Sequence, residues 1–78
     1  MNAEEDKQVE ILLNPASSAS QQKAALTWIR NYLEEGDILN LPPSRQSLNA
    51  LQSYGSSGQG EAALKQKAKK LLKEYARG

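Results

Sequence analysis

The stretch Ser18–Glu35, SASQQKAALTWIRNYLEE, decides the fold. At about 100° per residue, Ala25, Trp28, Ile29, Tyr32 and Leu33 share one broad arc, with Leu26 at its edge. Lys23, Thr27, Arg30, Asn31 and Glu34 fall outside it. This is the pattern of a helix lying on a core. Ser18 and Gln21 have the spacing of a capping box, and Gly36 stands where a left-handed C-cap would end the helix. The arc holds the chain's only tryptophan, and a buried Trp or Tyr removes about 150–250 Å² from water. On this reading Trp28 is a core anchor, and its truncation costs ~3–5 kcal/mol.

Working outward, residues 3–13 read as a first helix. Asn2 is its cap, and Glu4, Glu5 and Asp6 suit the positive end of its dipole. Val9, Leu12 and Leu13 form its apolar stripe, Ile11 lies off the stripe, and Pro15 ends the element. The short loop that follows predicts antiparallel packing of the first two helices. Beyond Gly36, Ile38, Leu39 and Leu41 lead into Pro42-Pro43, which reads as an extended connector over 37–43 laid on the core. Ser44 reads as the cap of a third helix with Leu48 and Leu51 on its apolar edge and Tyr54 off it. Gly55–Gly60 reads as a flexible glycine-serine loop. In the fourth helix Leu64, Ala68, Leu71, Leu72 and Tyr75 share one arc. The expectation is therefore all-α: one small domain over 1–78, a bundle of four short helices at about 3–13, 18–35, 44–54 and 61–76.

With 78 residues the core is modest. The chain has no Cys and no His, which excludes disulfides, the usual zinc sites, Cys or His nucleophiles and His acid–base catalysis. Every remaining acid, base or nucleophile reads as a surface residue, so no catalytic residue, metal or cofactor is assigned. MNAEEDKQ is unlike a signal peptide, and no apolar run approaches a membrane span. The expected location is the cytoplasm. Charge is uneven. The first 39 residues carry seven carboxylates against Lys7, Lys23 and Arg30, net −4; the last 39 carry seven cations against Glu61 and Glu74, net +5.

The basic half holds the main candidate site. Lys65, Lys69 and Lys73 repeat at i, i+4, with Lys70 and Arg77 beside them. Such a stripe costs a few tenths of a kcal/mol per like-charged pair. It is either an anion-binding face suited to phosphates or a solvated face that keeps a small protein soluble. From Leu41 onward, Leu41-Pro42, Ser44, Arg45, Leu48, Leu51, Gly55, Ser57 and Ala63-Leu64 follow in an order that resembles the opening of a GntR-type winged helix-turn-helix. In that family a Leu-Pro-Ser entry leads one helix, a glycine turn follows, and a second helix enters the major groove. The resemblance covers at most half of the chain and implies Arg45, Gln59, Lys65 and Lys69 as DNA contacts. The chain departs from the pattern in its longer turn and in having no β-hairpin wing after the fourth helix.

Two further features are weaker. Gly55, Gly58 and Gly60 open a helix as phosphate loops do, but the Gly-Lys-Ser/Thr ending is missing and Glu61 would repel an anion. Glu4, Glu5 and Asp6, with Glu34, Glu35 and Asp37, lack the ligand spacing of a calcium loop and read as solvated helix termini.

Two functional readings result. The first is a small nucleic-acid-binding regulator that uses Arg45, Gln59, Lys65, Lys69, Lys70, Lys73 and Arg77. The second, placed just behind it, is a non-catalytic protein-interaction module or inhibitor that uses the leftover apolar residues Ile11, Ile38 and Leu39. A homodimer is the third possibility, because the Trp28 arc is broad for one partner layer.

Overall fold

Three polar side chains set where the helices begin. Asn2 accepts from the backbone amides of Glu4 and Glu5, Ser18 from Gln21, and Ser44 from Ser47. Each fills orphan amides of a first helical turn. At Ser18 the Gln21 side chain also accepts from the cap's own amide, completing the capping box. In the computed structural model, which describes residues 2–76, these caps open α1 (Ala3–Leu13), α2 (Ala19–Ile38) and α3 (Arg45–Ser56); α4 (Ala62–Tyr75) follows. The protein is all-helical, and no strand forms among the described residues. No counterpart of a β-hairpin wing is present there.

Gly36 does not stop α2. The helix runs through it to Ile38, and Asn40 takes the left-handed conformation at φ 60°. The Leu41 amide donates to the Gly36 carbonyl at 2.8 Å, and the Asn40 amide to that of Asp37 at 3.1 Å. This is a Schellman motif built on Asn rather than Gly. Gly36 is thus an interior helical glycine, which costs stability for its backbone freedom. A Cβ there would meet the Leu41 Cβ at 4.0 Å, ordinary contact. Gly36→Ala is expected to stabilise the fold by about 0.5–1 kcal/mol, read from the urea midpoint; an unchanged or lowered midpoint would count against this account of α2.

The connector is correspondingly shorter than 37–43 predicts. α3 also continues past Tyr54 through Gly55 to Ser56, so only 57–61 link it to α4. Gly55 is buried, and the stem of Lys69 packs beside it, 3.0 Å from where a Cβ would stand.

The helices form a square. α1 contacts α2 and α3, and α4 contacts the same two. Around the bundle the order is α1, α2, α4, α3. Directions follow from neighbours. Asn2 shares a groove with Glu35 and Gly36, and Leu12 lies by Gln22, so α1 and α2 are antiparallel. Glu5 meets Ser44 and Ser47, and Leu12 lies by Tyr54, so α3 runs parallel to α1. Tyr75 lies by Leu33 and Asp37, and Leu64 by Leu26, so α4 runs parallel to α2. The connector from Leu39 to Ser44 therefore crosses the lower end of the bundle diagonally, from the end of α2 to the start of α3.

The core is Leu12, Ala25, Leu26, Ile29, Leu33, Ala50, Leu51, Tyr54, Leu64 and Ala68. Complete burial of Leu12, Ile29 and Leu51 contributes roughly 1.5–3 kcal/mol each. Tyr54 belongs to this core, only 2% exposed, contrary to its place off the α3 edge. Its hydroxyl donates to Gln22 Oε1 at 3.1 Å. Burial pushes this phenol's pKa up, and Glu61 adds to the rise, so the donor is neutral at ordinary pH. Trp28 is not a full core anchor either. It is half-buried, stacked on Tyr32 with centroids 4.9 Å apart. The face of α2 that carries it extends past what α1 and α4 cover.

Glu5 departs most from expectation. It is buried at 4% exposure, not solvated, and its carboxylate accepts from the Ser44 and Ser47 hydroxyls. Beside it the Gln46 amide donates to Asp6 at 2.8 Å. These bonds tie the start of α1 to the start of α3.

Candidate interaction surfaces

Two grooves on this frame collect the residues with binding chemistry. The first lies at the lower end, between the start of α1, the second half of α2 and the diagonal connector. It encloses about 440 Å³, lined chiefly by Trp28, Tyr32, Leu39, Leu41, Pro42 and Pro43, with Glu35 and Asn2 at its rim. Leu39 and Leu41 are 60% and 55% exposed, and Ile38 beside them is 73% exposed. The Schellman turn creates this patch. It stops α2 while the apolar run Ile38–Leu41 is still passing, and the two prolines then hold the chain extended. Ile38 and Leu39 are both exposed there, and of the two Leu39 lines the groove. Ile11 does not join them; it packs half-buried against the core. Leu13, placed on the α1 stripe by its spacing, is 42% exposed.

The second groove runs between the parallel helices α2 and α4 and encloses about 280 Å³. Lys23 and Arg30 stand on its α2 wall, Lys67 and Lys70 on its α4 wall, and Leu26, Leu64 and Leu71 on its floor, with Glu74 also lining it. All four cations are exposed. Of these only Lys70 belongs to the set suggested by the sequence.

The remaining members of that set are dispersed. Arg45 lines a groove between α1 and α3 with Val9, Leu13 and Asn49. The α1–α3 and α2–α4 edges share no helix, so Arg45 stands on the opposite side of the square from Lys67 and Lys70. Lys65 is half-buried, and its Nζ donates to the Ser57 carbonyl at 3.1 Å, bracing the loop before α4. Lys69 spends its stem on Gly55. Lys73 is exposed in the last turn of α4, where a cation suits the dipole. Gln59 is exposed in the upper loop, near Tyr54 and Leu13. Arg77 lies outside the described residues. The stripe Lys65–Lys69–Lys73 is therefore not one free face.

Acidic groups gather where α2 and α4 end. Tyr75 is pushed above the ordinary tyrosine pKa first by burial, then by Glu74, Glu34 and Asp37, with Arg30 pulling the other way. Among the described residues no three acidic side chains converge as metal ligands. Nor is any helix there long and apolar enough to cross a membrane.

Sequence reasoning missed Leu41, Pro42 and Pro43 as surface, and Lys23, Arg30 and Lys67 as site residues. The proline run was the available signal for the first group. Nothing local marks the second, since those cations meet only because α2 and α4 lie side by side. Comparison of the chain with protein-family models, curated proteins and solved structures finds no match.

Proposed function

We propose that this chain is a non-catalytic protein-interaction module whose partner docks on the lower-end groove. The observation that supports it is the groove in which half-buried Trp28 and Tyr32 meet exposed Leu39, Leu41, Pro42 and Pro43. Large apolar and aromatic side chains left contiguous on a surface are what a partner buries. Trp28 and Tyr32 are stacked on each other, which limits the side-chain freedom a partner must remove on arrival.

The test replaces Leu39 with a photo-crosslinking residue in cells of the source organism and uses Gln52, exposed on α3, as the control position. A discrete protein adduct is expected from position 39, absent from position 52, and lost on Trp28→Ala. Because Trp28 is half-buried, that variant is expected to stay folded, losing only ~1–3 kcal/mol, as a thermal melt would record. The absence of any adduct at position 39 in a folded chain would remove the reading. So would an adduct mass equal to two copies of the chain, which would mean self-association.

Nucleic-acid binding is the second reading, and one observation favours it: four cations from two helices converge on the α2–α4 groove. Its mark would be affinity for single-stranded RNA or duplex DNA that falls steeply with salt. Arg45 would take no part.

A further inference from the structure

We infer that the α2–α4 groove is a docking site for an acidic amphipathic helix of a partner protein. Charge is the first argument. Lys23 and Arg30 on one wall face Lys67 and Lys70 on the other, so an occupant lies between two rows of cations. The floor is the second. Leu26, Leu64 and Leu71 offer apolar surface between the rows, and long basic side chains lay their stems on such a floor while the charged heads reach over an occupant. A polyanion made only of phosphates has nothing to place there. An amphipathic helix places an apolar stripe on the floor and carboxylates against both rims.

Dimensions agree. Adjacent helix axes stand about 8–10 Å apart, so the groove between them accepts a ridge of side chains but not a duplex, which would rest on the rims. From Lys23 to Arg30 is two helical turns, about 10 Å, and Lys67 and Lys70 lie one turn apart on the other wall. The occupant therefore needs only two or three turns. Direction follows from the dipoles. α2 and α4 both begin at the upper end, so their positive ends lie together there and attract the negative C-terminus of a docked helix. The occupant runs antiparallel to both.

This surface is separate from the lower-end groove, and either can fail alone. The probe is a fluorescein-labelled synthetic peptide of about 15 residues, with leucines at helical spacing and glutamates between, followed by fluorescence anisotropy against the full chain. Saturable binding is expected, weakening as salt rises. Lys67→Glu with Lys70→Glu should weaken it by roughly tenfold, as reversing two rim charges implies. Lys23→Glu with Arg30→Glu, on the opposite wall, should do the same. All four side chains are exposed, so folding should survive; circular dichroism checks this, and if one pair unfolds the chain the other pair decides. Arg45→Glu and Leu39→Glu should leave binding unchanged. Three results would overturn the inference: no saturable binding of the peptide, equal weakening by Arg45→Glu, or tighter binding of single-stranded RNA or duplex DNA than of the peptide.

Discussion

Glu5→Ala should destabilise the protein by about 2–4 kcal/mol, one of the largest effects expected of any polar substitution here. The carboxylate is buried between two helix starts and accepts from two serine hydroxyls, one of them on fully buried Ser47. Charge-assisted bonds of this kind are roughly twice as strong as neutral ones. It also sits in the first turn of α1 and against the first turn of α3, at the positive ends of two helices. Alanine removes all of this and leaves a buried hydroxyl seeking a partner. Glu5→Gln keeps the shape but loses the charge, so a smaller loss is expected. Urea denaturation followed by Trp28 fluorescence measures both. A Glu5→Ala variant within about 0.5 kcal/mol of the parent, the range of an ordinary surface change, would show that the α1–α3 clasp does not hold the bundle together.

Gly60→Ala should cost about 2–3 kcal/mol, for two reasons that act together. The backbone there has φ +93°, a conformation that side chains rarely adopt, and a Cβ would stand 2.8 Å from the Tyr54 hydroxyl and 3.1 Å from two ring carbons. The ring cannot simply yield. It is core, and its hydroxyl is bonded to Gln22. Moving it breaks that bond and loosens the floor under the upper loop. Gly58 is the control in the same loop: a Cβ there meets nothing within 4 Å, so Gly58→Ala should be nearly neutral. Thermal melts of the two variants side by side decide the matter, and equal melting temperatures would mean that the loop does not rest on Tyr54.

What could be read ahead of the structure was local. The caps Asn2, Ser18 and Ser44, and the helix count, depend on residues within a turn of each other. The end of α2 depends instead on Asn40 and Leu41, downstream of Gly36. A single interior Gly costs a helix only about 1 kcal/mol, too little to stop one with a better terminus four residues on. Tyr54 and Glu5 depart from the pattern of their own helices for a different reason. Which side of a short helix is buried depends on how many neighbours flank it, and α3 lies between α1 and α4. The candidate site was the least legible part. Spacing along α4 reveals which lysines lie above one another, but not that Lys65 turns to a loop carbonyl or that Lys67 and Lys70 face α2.

The pairing of like-directed helices also gives the lower end an electric polarity. α1 and α3 both begin there, and α2 and α4 both finish there. One side of that end thus presents two positive helix termini, answered by Glu4, Glu5 and Asp6 in the first turn of α1. The other presents two negative termini: Lys73 answers that of α4, while no basic residue stands in the last turn of α2. Glu34, Glu35 and Asp37 deepen the negative side rather than cancel it. The end of α2 is therefore the helix terminus at this end that lacks a compensating charge in its own last turn. A partner of the Trp28 groove is expected to meet that terminus with its own cations, so that its on-rate falls as salt rises.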